Sequence, residues 1–272
     1  MSPSPWRRVP LELTTDLEHG GRWASLRTAT REWCWVNPRP DVADARLRVS
    51  LEDAFVDAGG VEECWPTVRG RPDHGDAWAR TWSGAAEDAS VVVPGVGRLR
   101  RRVTGGAAVD VGYEVTGAPG TPFLHAVHAL LDLSPHAWIE LPQARTLTLL
   151  DGDDSDPDPG ERPWPSGLDR FGPDDGTAVC ALVPRCSSAT VVDGDDALGL
   201  EWWSDRPELC SLLLWRNLGG WPADGPYRSV GVEPLVGRAA DFSTAAPGEC
   251  ATLDASGAFR WRLRVAALRR DA

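Results

Sequence analysis

Apolar and polar residues alternate along most of this chain in short runs that stop at Gly, Pro or Asp clusters. LRRRVTG (99–105), AAVDVGYEVTG (107–117), ARTLTLL (144–150), TAVCALV (177–183), ATVVD (189–193) and FRWRLRV (259–265) are the clearest cases. Alternation with period two predicts strands, because successive side chains point to opposite faces. Turn pairs punctuate the runs: Pro94-Gly95, Gly105-Gly106, Asp193-Gly194 and Ser256-Gly257. Sustained helical periodicity is nearly absent. Many short strands separated by turns predict an all-β fold, a large antiparallel β-sandwich. No composition break or internal repeat divides the chain, so one domain over residues 1–272 is expected.

Composition sharpens this picture. The chain has 272 residues, 42% of them hydrophobic, enough to bury a sizeable core. Its net charge of -12 disfavours a nucleic acid or an anionic membrane as partner. All 28 basic residues are arginine, which suggests a GC-rich, bacterial genome. The opening MSPSPWRRVPLEL lacks the apolar core of a secretory signal, and no apolar run is long enough to span a bilayer. A cytoplasmic location is therefore expected, with Cys34, Cys64, Cys180, Cys186, Cys210 and Cys250 reduced and mostly buried. Their spacing argues against a structural zinc site. The acidic stretch DGDDSDPDPG (151–160) lacks the turn glycine and the final glutamate of a calcium loop, and reads as a solvated connection.

Candidate chemistry concentrates in two segments. GGVEECWPTVRGRPDHGDAWARTW (59–82) packs Glu62, Glu63, Trp65, His74, Trp78 and Trp82 between glycines. WRNLGGWPADGPYRSVGVEPLVG (215–237) sets Glu233 at the end of an apolar run, before a proline. A carboxylate there is either a general base or a glutamate held by an arginine such as Arg228 or Arg238. In FLHAVHALLDL, His125 and His128 point to opposite faces of a strand, so one can face a cleft; a structural hydrogen bond is the plainer role for either. The 14 tryptophans serve equally as sugar platforms or as core fillers. Glu62 and Glu63 read as scaffold, holding an arginine such as Arg69 or a backbone amide.

Four segments, taken in order, resemble the galactose mutarotase-like superfamily, the aldose 1-epimerases and their divergent actinobacterial-type relatives. They are LEHGGRWASLR, GGVEECWPTVRGRPDHGDAW, HALLDL and GVEPLVGRAADF, covering residues 11 to about 242. The resemblance implies a β-supersandwich and a free hexose or related sugar as ligand, with no cofactor and no metal. It implies Glu233 as general base, His128 as general acid and His74 as a sugar-hydroxyl ligand. Asp205 is the candidate for the family's sugar-binding aspartate. Arg71, with Arg69 and Arg80 beside it, is the candidate guanidinium, and Trp65 and Trp78 the pocket walls. The sequence departs from the family at Ala129-Leu-Leu-Asp132, where the family has Pro-Tyr-Phe-Asn, and its upstream Asn-Arg pair is not recognisable. The implied activity is interconversion of α and β anomers. The alternatives are a carbohydrate-binding protein without catalysis, or a hexose-6-phosphate 1-epimerase using the three arginines. A monomer or homodimer is compatible with all of these. No second carboxylate pairs with Glu233 in the way glycoside cleavage requires.

Overall fold

The alternation in FRWRLRV becomes the two-faced strand Ala258–Arg270. Phe259, Trp261, Leu263 and Val265 are buried, while Arg260 and Arg262 face outward. Burial of side chains such as Phe259, Leu263 and Val265 favours folding by about 1.5–3 kcal/mol each. On the outer face, Arg260 meets Glu114 at 2.7 Å and Arg264 meets Asp110 at 2.7 Å across the neighbouring strand Val109–Thr116. The structure, a computed structural model, describes residues 5–150 and 160–271. The acidic run at 151–159 lies outside the described residues.

Two antiparallel sheets of nine strands each form the sandwich, as the alternation predicts. The backing sheet runs Trp138–Glu140, Ser188–Asp193, Asp196–Ser204, Ala258–Arg270, Val109–Thr116, Gly97–Thr104, Asp88–Val93, Ser83–Ala85, with Trp6–Val9 also paired to Ala258–Arg270. The site sheet runs Gly160–Pro163, Thr146–Leu149, Ala178–Pro184, Cys210–Trp221, Tyr227–Val236, His125–Leu131, Val61–Cys64, Arg22–Arg27, Glu12–Asp16. The only α-helix among the described residues is the short Pro40–Arg46, begun by a proline whose missing N–H costs nothing at a helix start. No helix among the described residues is long and apolar enough to cross a membrane.

The centre of the site sheet is covered on both faces. Every residue of His125–Leu131 is buried. One face, with Val127, Ala129 and Leu131, joins the core between the sheets. The other carries a second apolar layer that includes Cys64, Val68, Ala126, Leu213 and Leu235. A strand sandwiched this way reads as a continuous apolar run, which hides its alternation.

One charged network bridges the two sheets through the core. Glu63 is fully buried, and Arg101 of the backing sheet donates to its Oε1 at 2.7 Å. Tyr113 donates to the same oxygen at 3.0 Å. His125 Nε2 lies 3.0 Å from Oε2, and Trp261 Nε1–H donates to His125 Nδ1 at 3.0 Å. An indole N–H is only a donor, so Nδ1 must accept and the ring proton sits on Nε2, directed at Glu63. Burial opposes ionisation of Glu63, but the His125 and Arg101 contacts outweigh it and hold its carboxyl below the ordinary range. Removing one partner strands the other charge. Arg101→Leu should therefore lower the unfolding free energy by about 3–5 kcal/mol, measured by urea denaturation.

Candidate functional site

Strand register places the chemistry on the face of the site sheet turned away from the core. Directly opposed residues in an antiparallel ladder share a face. His128 opposes Glu62, Ala126 opposes Cys64, and Leu213 opposes Glu233. Cys180 opposes Trp215 on the next pair, and Trp215 opposes Gly231. His128, Glu233, Leu213, Trp215 and Cys180 accordingly line one cavity of about 530 Å³, closed over by Phe55, Asp57, Arg69, Asp73, His74 and Trp221.

Glu233 lies within Tyr227–Val236 rather than at its end, because the strand continues through Pro234. The ladder to His125–Leu131 pairs Ala126 with Leu235 and Leu130 with Gly231, leaving 127–129 and 232–234 unladdered. Pro234, with no N–H to give, sits in that gap. There His128 Nδ1 lies 3.0 Å from Glu233 Oε2. Gly231 makes room for the other oxygen: a Cβ at this position would meet Glu233 Oε1 at 2.5 Å. Arg228 pairs with Asp174 and Arg238 donates to the Gly248 carbonyl, so neither holds the glutamate.

The loop between Cys64 and Trp78 carries His74 over this pair. Its backbone is pinned from within: His74 N–H donates to the Val68 carbonyl at 2.6 Å, and Asp76 and Ala77 N–H both donate to the Trp65 carbonyl at 3.0 Å. Gly75 has φ +70° and packs so closely that a Cβ would meet the Trp65 carbonyl oxygen at 2.4 Å. His74 itself has φ +59°. A left-handed non-glycine residue costs energy, and such strain collects at functional sites. Phe55 stacks face to face on the His74 ring at 3.7 Å and meets the His128 ring edge-on at 5.7 Å. The two imidazoles lie 5.2 Å apart. His74 Nδ1 is 3.0 Å from Asp73 Oδ2, at an angle that leaves the nitrogen without a hydrogen bond.

Below this pair, the scaffold role read for Glu62 is met by Arg46. It donates to both Glu62 oxygens, at 2.9 and 3.0 Å, and to the Trp78 carbonyl at 2.8 Å. Burial works against a charged His128, but the Glu233 carboxylate, with Asp57 and Glu62 beyond it, more than compensates and raises the imidazole to about 9. At neutral pH the pair is thus an imidazolium beside a carboxylate. Burial, with Glu233 nearby, pushes the Cys180 thiol up to about 12, so it is no nucleophile at neutral pH.

Several expected positions fall elsewhere. Asp205 is on the backing sheet's outer side, where its carboxylate accepts the Arg260 N–H at 2.8 Å; it follows a strand of the other sheet and cannot reach the cavity. Arg71 points to solvent at the loop's tip, while Arg69, two residues earlier, turns inward to the cavity. Arg80 is engaged with Asp76 at 3.6 Å. Trp78 is buried behind Phe55, in edge contact at 4.9 Å, and Trp65 belongs to the core. Phe55 and Asp57 were not singled out from the sequence. The one signal for Phe55 is an isolated aromatic in the acidic stretch before Gly59. Asp57 accepts from the Tyr227 hydroxyl at 2.7 Å through Oδ2, while its buried Oδ1 has no partner.

No protein-family model and no curated protein matches the chain. Solved structures do. A Synechocystis sp. PCC 6803 protein matches with TM-score 0.71 at 14% identity, over 100% of this chain and 98% of its own. An Escherichia coli K12 protein described as a candidate aldose 1-epimerase matches with TM-score 0.68 at 17% identity, over 96% and 99%. A galactose mutarotase-like protein of Lactobacillus casei ATCC 334 matches with TM-score 0.62 at 14% identity, over 96% and 99%. The chain has the galactose mutarotase-like β-sandwich fold.

The His128–Glu233 contact makes a signed prediction. An NMR titration of His128 should give a midpoint near 9, and Glu233→Gln should lower it towards an ordinary histidine value. Because the folded value is raised, the stability it contributes is full below about pH 6.5, the unfolded value, and is lost as pH rises through about 9. Urea midpoints should fall across that interval in the parent protein, and less so in Glu233→Gln.

Proposed function

We propose that the cavity interconverts the α and β anomers of a free, uncharged aldose. One observation carries the reading: the His128 imidazole and the Glu233 carboxyl group, 3.0 Å apart, face one sugar-sized cavity. Ring opening needs two proton transfers at oxygens that share a carbon, the anomeric hydroxyl and the ring oxygen. Adjacent acid and base groups meet that demand.

Glu233 takes the proton of the anomeric hydroxyl, and that oxygen's electron pair forms the C1 carbonyl. The C1–O5 bonding pair passes to the ring oxygen, which receives the His128 proton. Rotation about C1–C2 presents the other face of the aldehyde, and reversal of the same transfers closes the ring. Glu233 starts ionised and His128 starts protonated, so one turnover returns both to their starting states. The neighbouring groups suit a sugar. Asp57 Oδ1 and Arg69 offer an acceptor and donors to hydroxyls, and His74 can reach a third. Trp215 and Trp221, edge to face at 6.1 Å, give apolar walls for ring C–H groups. A cavity of about 530 Å³ falls within the usual range for small ligands.

The phosphosugar alternative is disfavoured by the lining. Asp57, Asp73 and Glu233 face the cavity against a single guanidinium, Arg69. A phosphate dianion needs several donors and meets repulsion there instead.

The test is NMR exchange between anomers for a panel of free aldoses. The parent protein should accelerate exchange above the buffer rate. Glu233→Gln and His128→Gln should each lose about 10²- to 10⁴-fold while still binding sugar. The rate should decline above about pH 9 as His128 loses its proton. Exchange at the buffer rate for every sugar, with saturable binding, would replace this reading by a carbohydrate-binding role.

A further inference from the structure

We propose that Cys64, His74 and His128 form a binding site for a thiophilic divalent cation, with Zn²⁺ the best match, beside the same cavity, which the two histidines line and Cys64 backs from beneath. The site goes beyond the anomerisation reading and stands without it.

The three residues come from separate places: the strand Val61–Cys64, the pinned loop above it, and the strand His125–Leu131 beside it. One sulfur and one nitrogen from each histidine all lie within 4.8 Å of one another. For any such triangle there is a point no more than about 2.8 Å from all three atoms. Zinc bonds of about 2.0–2.3 Å are reached by inward shifts of under about 1 Å per ligand. A sulfur with two imidazoles is a donor set for Zn²⁺ and its close analogues rather than for Mg²⁺ or Ca²⁺.

Two further observations point to a cation. Each imidazole has a carboxylate at its Nδ1: Glu233 Oε2 is 3.0 Å from His128, and Asp73 Oδ2 is 3.0 Å from His74. For His128 this contact is the arrangement that orients a metal-bound histidine and leaves its Nε2 for the metal. The local charge balance is also negative. Glu62 and Glu63 are matched by Arg46 and Arg101, whereas Asp57, Asp73 and Glu233 face the cavity beside one guanidinium, Arg69, and the two imidazoles. His74 Nδ1 is buried without a hydrogen bond, so the loop histidine is not committed elsewhere. On coordination the Cys64 thiol and the His128 imidazolium each release a proton to solvent, and the thiolate and neutral ring become ligands.

Occupancy takes His128 out of acid catalysis. A bound Zn²⁺ therefore inhibits anomer exchange, and the cavity has two mutually exclusive states.

Co²⁺, which absorbs where Zn²⁺ is silent, is the probe. Titrating the full-length protein with Co²⁺ under reducing conditions should give a thiolate-to-cobalt charge-transfer band saturating at one equivalent, and Zn²⁺ should abolish it. Cys64→Ser should lose the band, while Cys180→Ser, which alters the cysteine that lines the cavity, should keep it. His74→Gln, on a loop rather than in the sheet, should weaken Co²⁺ binding at least tenfold with an unchanged thermal midpoint. No charge-transfer band in the parent protein, or a band that survives in Cys64→Ser, overturns the proposal. The spectrum does not depend on turnover. If the protein never exchanges anomers but shows the band, the metal site stands and the anomerase reading fails. If it exchanges anomers without a band, the reverse holds.

Discussion

A carboxylate with no solvent exposure, lying between two sheets, dictates much of this molecule. Glu63 cannot stay charged there without compensation, since burying an unpaired ion costs several kcal/mol. Arg101 and Tyr113 from the backing sheet and His125 from the neighbouring strand supply it. Trp261 then holds His125 in a single tautomer. The network sets the register of one sheet against the other. An apolar core of the same volume gives cohesion but no directional preference, because the hydrophobic effect is non-directional.

The adjacent Glu62 applies the same demand to the opposite face. Two successive strand residues point in opposite directions, so the pair Glu62-Glu63 drives one charge into the core and one beneath the cavity. Arg46, from the only α-helix among the described residues, answers the second and ties the Trp78 carbonyl to it. The loop carrying His74 is thereby anchored at both ends, at Cys64 on a central strand and at Trp78. The crowding of GGVEECWPTVRGRPDHGDAW thus has a physical explanation. Its acids and aromatics mostly build a mount, and that mount presents one histidine in a left-handed conformation to the cavity.

Mount and chemistry are coupled through shared charge. His128 keeps its proton because Glu233, Asp57 and Glu62 surround it; burial pushes the Glu62 carboxyl above the usual carboxylate range, and Arg46 works against that shift. A site held by fixed dipoles and ions on central strands reorganises little during proton transfer, which is the condition for electrostatic catalysis. The same concentration of carboxylates around two imidazoles and a thiol underlies the proposed dication site. The proposed acid–base chemistry and the proposed metal coordination draw on one donor set, so the two exclude one another.

The sequence by itself determined the all-β architecture, because period-two alternation bounded by turn residues is a local property of FRWRLRV or VDVGYEVT. It also separated His125 from His128, three residues apart and hence on opposite faces, and it pointed to Glu233 and His74. The tertiary structure alone decided what those residues meet. Asp205 reads like a cavity residue along the chain but follows a strand of the other sheet, and Arg69 rather than Arg71 turns inward, a matter of loop path. Phe55 and Asp57 reach the cavity from a segment with no periodic signal. Cysteine spacing along the chain argued against zinc, yet Cys64 meets two histidines through sheet pairing and a loop turn. Periodicity along the chain records which face a side chain takes; distances between side chains far apart in sequence arise only when the strands pair and the sheets close.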